Sequence, residues 1–260
     1  MLLQANNLEK TFYVYKKTGW LSRKRTEVKA LSNFSLKIDK PIIYGLVGPN
    51  GAGKTTFIKH CLGLVEATAG EISVLGYNPY LRKPEFLEQV GLVSGQKQNL
   101  DANLSALDSL MLSGYLYNMQ QPKISQRIKE LVDLFDLQEK IDVPVRQLSL
   151  GQKMKFEIIS SVLHSPKFLF MDEPTLGLDF DAQNTMRTLL RNLHENEGLT
   201  ILLTSHYMPD ITTLCERVCV IDKGQQMFDG SLDELKKSSQ SQGYLKTLVE
   251  ELNKENAVEA

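Results

Sequence analysis

Apolar positions recur along this chain with two different periods, and the period changes at points marked by glycine, proline or serine. Leu31, Phe34, Leu36 and Ile38 keep one face of a segment over 30–38 mostly apolar, as in a half-buried strand. Ile42-Ile43-Tyr44-Gly45-Leu46-Val47 is a continuous apolar run that predicts a buried strand. Ile58, Cys61 and Leu62 then share one face of a helix over 56–62, which Gly63 stops. From 104 to 141 the period is helical: Ile124, Ile128, Leu131 and Phe135 form a stripe, and Gln120-Gln121-Pro122 separates their helix from the one before. After Ser149 a helix carries Met154, Ile158, Ile159, Val162 and Leu163 on one side and ends before Pro166. A strand over 168–171, a helix marked by Met186, Leu189, Leu190 and Leu193, and a strand over 199–204 follow. Such alternation builds a mainly parallel sheet flanked by helices. The expected architecture is α/β, with a small antiparallel β subdomain at the N-terminus and a helical insertion over about 98–163. A polar tail is expected over 236–260.

Bulk properties narrow the classes. At 260 residues, 42% hydrophobic and 23% charged, the chain can bury a sizeable core. No apolar run approaches the roughly 18 to 20 residues that span a bilayer. Met1-Leu2-Leu3-Gln4-Ala5-Asn6-Asn7 lacks the regions of a signal peptide. Any membrane role is therefore expected to come through a partner. A net charge of -1 argues against a whole-protein nucleic-acid surface, and no nucleic-acid partner is expected. Cys61, Cys215 and Cys219 make neither an even disulfide set nor a C-x-x-C site, which fits a reducing cytoplasm. Cys215 and Cys219 are spaced to share a helical face with Ile211 and Leu214, and packing is their expected role. One basic insertion stands out over 15–29: Lys16, Lys17, Arg23, Lys24, Arg25 and Lys29 flank the only tryptophan, Trp20. It reads either as a solvated hairpin tip or as a contact for anionic headgroups or a membrane partner.

The candidate chemistry begins right after the run at 42–47. In Gly48-Pro49-Asn50-Gly51-Ala52-Gly53-Lys54-Thr55 the glycines let successive backbone N–H groups turn toward one point. Lys54 supplies a cation for terminal phosphates and Thr55 a hydroxyl for magnesium. Strand, loop and helix follow in the order a phosphate-binding loop requires. Farther on, Lys167-Phe168-Leu169-Phe170-Met171-Asp172-Glu173 is an apolar strand ending in two carboxylates. In nucleotide hydrolases such a pair divides its labour: Asp172 for magnesium, Glu173 for orienting and deprotonating water. Leu148-Ser149-Leu150-Gly151-Gln152 stands at a helix N-terminus, where free N–H groups favour phosphate; Ser149 is equally an acceptable N-cap.

With these three motifs in this order, the chain resembles the ATP-binding cassette family over roughly residues 1–235, as the nucleotide-binding subunit of a transporter with a P-loop NTPase core. The stretch 48–56, ending in Thr56, matches Walker A, 148–152 the signature and 168–173 Walker B. Asp179 in Leu176-Gly177-Leu178-Asp179 looks like the D-loop aspartate. His206 in Leu203-Thr204-Ser205-His206 looks like the switch histidine, and Gln96 like the Q-loop glutamine of the metal site, with Gln98 a rival. Phe12 best matches the adenine-stacking position, with Tyr13 and Tyr15 nearby. The signature departs from the commoner pattern in having Leu150 for glycine, while Ser149 and Gly151 remain. The resemblance implies ATP and Mg2+ as ligands and a head-to-tail dimer with a second cassette, a homodimer being expected. It also implies separate membrane permease subunits and a place on the inner face of the cell membrane. The stretches 93–96 and 143–152 and the basic insertion are similar to a bacterial subgroup associated with exporter-type permeases, which implies export. A cassette that drives a membrane complex without moving a solute would share every one of these motifs.

Overall fold

The computed structural model describes residues 1–17, 23–95, 99–205, 207–238 and 244–258. Along the chain run β1 (Leu3–Lys17), β2 (Arg23–Ile38), β3 (Ile43–Val47), α1 (Lys54–Cys61), β4 (Ala69–Val74), α2 (Pro84–Leu87) and β5 (Val90–Ser94). Then come α3 (Ala106–Leu116), α4 (Gln121–Leu134), α5 (Leu150–Val162), β6 (Phe168–Asp172), α6 (Phe180–Glu197) and β7 (Thr200–Ser205). The last elements are α7 (Met208–Leu214), β8 (Arg217–Asp222), β9 (Gln225–Ser231), α8 (Leu232–Lys237) and α9 (Tyr244–Val258). They form two compact units: one of Met1–Lys40, Tyr44–Lys83 and His206–Ala260, the other of Pro41–Ile43 and Pro84–Ser205.

In the first unit, β2, β1 and β4 form an antiparallel sheet in that order. Leu3, Ala5 and Leu8 of β1 and Phe34, Leu36 and Ile38 of β2 are buried on it. The strands break register between Ala5 and Leu8, where Asn7 takes a left-handed φ of 48°, a conformation asparagine tolerates better than most residues. Phe34 meets Phe57 of α1 with ring centroids 4.8 Å apart, an aromatic pair that ties the helix to the sheet. Also in this unit, β3 pairs in parallel with β8, and β8 pairs antiparallel with β9.

In the second unit, β5, β6 and β7 are parallel and in register, from Val90, Phe168 and Thr200 to Ser94, Asp172 and Thr204. Phe168, Leu169, Phe170 and Met171 are all buried, which is why this strand reads as an unbroken apolar run rather than an alternation. α4 begins with Pro122 in its first turn, where a missing N–H costs nothing, and buries Ile124, Ile128, Leu131 and Val132 as one stripe. α6 buries Met186, Leu189, Leu190 and Leu193 and closes on Gly198 in a left-handed C-cap.

Three expectations from the sequence are revised. Cys215 caps the end of α7, but Cys219 lies on β8, so the two share no helical face; the turn at 215–216 breaks the period on which that reading rested. Both thiols and Cys61 are buried and free, and burial pushes all three up from the ordinary thiol range. α1 starts at Lys54, two residues earlier than the apolar periodicity indicates, because its first turn carries polar residues. The polar C-terminal segment contains α9, in which Leu245, Leu248 and Leu252 recur at helical spacing and are buried.

Candidate functional site

In the first unit, the loop between β3 and α1 is shaped by what its glycines admit. A Cβ on Gly48 would lie 2.2 Å from the Ile221 carbonyl oxygen, and one on Gly53, at φ +114°, would lie 2.5 Å from that of Ala30. Only glycine lets the loop pass this close to β8 and β2. The loop is also braced by hydrogen bonds: the Gly224 N–H donates to the Ala52 carbonyl at 2.8 Å, and the Ser32 N–H to that of Gly224 at 2.9 Å. Gly53 is the N-cap of α1 and offers no side-chain acceptor, so the opening N–H groups of that helix are left to other partners. Lys54 is buried, 5% exposed, and its ammonium donates to the carbonyls of Gly48 at 2.6 Å and Pro49 at 3.2 Å. One rigid loop therefore presents backbone donors and a cation with three donors of its own. Pro49, Asn50, Gly51, Ala52, Thr55 and Thr56 complete this loop and the first turn of the helix.

Phe12 belongs to the same unit but to the two-stranded stretch of β1 and β2, opposite Val28. Lys10 lies over its ring at 5.1 Å. Tyr13 and Tyr15 point to the other face of the strand, as alternation requires, and Arg25 covers Tyr13 at 3.7 Å.

In the second unit, two carboxylates turn a corner at the carboxyl end of β6, the end of an open α/β sheet where ligands bind. The Thr204 hydroxyl donates to Asp172 Oδ1 at 2.8 Å and accepts from the Glu173 N–H at 3.0 Å. The same N–H reaches the Thr204 carbonyl at 3.2 Å, and the Gly95 N–H donates to the Asp172 carbonyl at 3.1 Å. Thr204 is fully buried. It thus fixes both the carboxylate of Asp172 and the backbone of Glu173, whose φ of 52° is left-handed for a residue with a side chain. Such a conformation costs on the order of 1–3 kcal/mol and persists where the surroundings over-determine it. In sequence Thr204 is only a hydroxyl residue near the end of an apolar run; its register with Asp172 comes from the fold.

Ser149 and Asp179 each cap a helix of this unit. The Ser149 hydroxyl accepts the Gln152 N–H at 3.2 Å while the Gln152 side chain accepts the Ser149 N–H at 3.0 Å, a complete capping box on α5. Asp179 Oδ1 accepts the Ala182 N–H at 2.8 Å at the start of α6. The two helix starts adjoin: a methyl added at Gly151 would sit 3.1 Å from Ala182 Cβ, and one at Gly177 3.3 Å from Leu150 Cδ2. Leu150 itself is exposed.

A further link was not foreseen. Glu157, buried on α5, accepts the N–H groups of Asn99 at 2.9 and 3.0 Å and of Leu100 at 3.2 Å. Burial raises its pKa, and these donors oppose the rise. The helix that opens with Ser149 thereby holds the chain just after residues 96–98. The signal was a carboxylate on an otherwise apolar helical face. Gln96, its rival Gln98, His206 and Trp20 lie outside the described residues.

The match to known proteins is consistent with this geometry. The ABC transporter family matches residues 31–176, more than half of the chain. The chain belongs to the ABC transporter family. It is 32% identical over 219 residues to the ABC transporter ATP-binding protein NatA of Bacillus subtilis, covering 84% of this chain and 89% of that protein. It is 35% identical over 205 residues to the Nod factor export ATP-binding protein I of Cupriavidus metallidurans, covering 79% of this chain and 67% of that protein. A solved ATP-binding subunit of an ABC transporter shares the fold at a TM-score of 0.76, with 24% identity over 96% of this chain and 99% of the other. As a member of the family the chain is an ATPase and an ATP-binding subunit of the ABC transporter type. No helix among the described residues is long and apolar enough to cross a membrane.

Proposed function

We propose that this ABC ATPase powers export of a solute through separate permease subunits, working as a head-to-tail pair of cassettes on the inner face of the cell membrane. The observation that carries the hydrolytic part is the corner at Asp172 and Glu173, where a buried threonine holds one carboxylate and the backbone of the next residue. In this reading the N–H groups of 48–55 and Lys54 hold the phosphates of ATP, and Phe12 stacks on the adenine. Glu173 orients the attacking water and takes its proton, and His206 contacts the terminal phosphate.

Thr55 and Asp172 offer a hydroxyl and a carboxylate, hard oxygen donors of the kind Mg2+ takes alongside phosphates, and Gln96 would complete the set. When bound, that ion would neutralise charge on the phosphates. Ser149 and Gly151, with Gln152 behind them, meet the nucleotide held by the partner cassette, and Asp179 lies beside them at the pair's interface. The adjoining starts of α5 and α6 support assigning both to one surface. Export rather than import is supported by the relative named for Nod factor export.

The test is a mild-detergent pull-down of the Glu173→Gln chain with ATP, followed by mass spectrometry. A multi-spanning permease recovered in stoichiometric amount is the expected result. Recovery of only a membrane complex without a permease would replace transport with the mechanical role.

A further inference from the structure

The pairing of β1 with β4 ends at Glu9 and Ala69, whereas its pairing with β2 continues to Lys17 and Arg23. Past β4, therefore, β1 and β2 run on as a two-stranded ribbon for about 26 Å at ~3.3 Å per residue. A two-stranded ribbon is marginally stable in water by itself. This one also carries Tyr13, Val14, Tyr15 and Val28 exposed, on both faces.

Its charge is concentrated at the far end. In the backbone register Lys16 stands opposite Lys24 and Lys17 opposite Arg23. The segment 15–29 holds six basic residues and one acidic, a net of +5, in a chain whose total is -1. Charge this concentrated, against the sign of the rest, marks a surface built for a polyanion. Arg25 over the Tyr13 ring, with Tyr15 on the same face, adds the amphipathic aromatic character found at membrane–water interfaces.

We infer that the distal end of the β1–β2 ribbon binds the anionic headgroup surface of a phospholipid membrane, giving the cassette a lipid contact of its own. The inference goes beyond the transport reading and needs no permease, so the two fail separately. Clustered Lys and Arg residues are drawn to anionic lipid within about a Debye length, and the aromatic rings seat at headgroup depth.

The test uses the full chain without any membrane partner. Trp20, the only tryptophan, falls in sequence between the two strands and serves as the reporter. Phosphatidylcholine vesicles with a third of their lipid as phosphatidylglycerol should float the protein and shift Trp20 emission to the blue, reversibly with salt. Pure phosphatidylcholine vesicles should do neither. Changing Lys16, Lys17, Arg23 and Lys24 together to glutamine should weaken vesicle binding by on the order of 10³-fold. The same variant should keep ATPase activity and thermal stability, because it changes none of the residues assigned to the nucleotide. Equal binding to neutral vesicles, no binding to anionic ones, or undiminished binding by the variant would each overturn the inference. Absent vesicle binding together with loss of permease co-purification in the variant would assign the ribbon to an acidic protein surface instead.

Discussion

The loop at 48–55 and the corner at 172–173 solve opposite problems. The loop is made by absence of side chains: Gly48 and Gly53 let the backbone press against Ile221 and Ala30, and the donors it offers are mostly N–H groups. The corner is made by presence: Asp172 and Glu173 are held by one buried hydroxyl and by a backbone turned into an unfavourable φ. A backbone site tolerates no added atom but needs little specific chemistry. A side-chain site tolerates changes of shape better than changes of charge or hydrogen bonding. The two should therefore break in different ways.

The largest separation is expected between Glu173→Gln and Gly48→Ala. Glu173→Gln is nearly isosteric and removes the proposed proton acceptor, so single-turnover hydrolysis should fall by on the order of 10² to 10⁴-fold with ATP affinity preserved. Gly48→Ala places a methyl 2.2 Å from a carbonyl oxygen, and the loop must move. Its primary loss should be in equilibrium nucleotide binding, by roughly 10²-fold or more. Unchanged turnover in the first variant would remove Glu173 from the mechanism; unchanged affinity in the second would show that the loop yields without cost.

Thr204→Val asks whether the corner depends on its hydroxyl. The shape is kept, but the bond to Asp172 and one of the two acceptors of the Glu173 N–H are lost. Stability should drop by about 1–3 kcal/mol in denaturant unfolding, and turnover should fall by roughly 10 to 100-fold. A stability loss without any kinetic loss would reduce Thr204 to a packing residue.

These contrasts explain what could be read without coordinates. That 48–55 leads from a strand into a helix was legible from its glycines and the apolar runs around it, and the strand ending in Asp172 was legible from its own apolar run. Parallel strands announce themselves through runs such as Phe168, Leu169, Phe170 and Met171. Thr204 and Glu157 stay hidden because their importance lies in register and in contacts across 32 and 57 or more residues of chain, which no local period encodes. Cys219 was misplaced because spacing of 4 suits a helix and a turn-plus-strand equally when the turn carries no glycine or proline.

A smaller effect, common to both units, is acid sensitivity. His60 in the first and His164 in the second are both buried, and burial lowers each from its ordinary range to about 4. His164 is also stacked on Tyr117 at 3.7 Å. Each stays neutral in the folded chain while its unfolded counterpart takes a proton near pH 6.5, so stability is present above that value and is lost as pH falls toward 4. The thermal midpoint should decline over that window. His164→Phe should shallow the decline, and an unaltered pH profile would assign the loss to other groups.

The smallest stability change, and the sharpest use of the contrast, is at Ser149. Its hydroxyl already has a structural task, the capping box with Gln152, so Ser149→Ala should cost about 1 kcal/mol whatever else it does. Asp caps helices about as well as Ser, so Ser149→Asp should melt within about 0.5 kcal/mol of the parent chain. If phosphate also approaches this N-terminus, the added carboxylate repels it, and ATP-dependent pairing of cassettes should be abolished by light scattering while ATP binding to the single chain persists. Loss of pairing with stability retained would separate the two tasks of one hydroxyl. Retained pairing would leave Ser149 as a cap alone, and a phosphate contact there would then have to come from the backbone at Gly151, as proposed for the loop at 48–55.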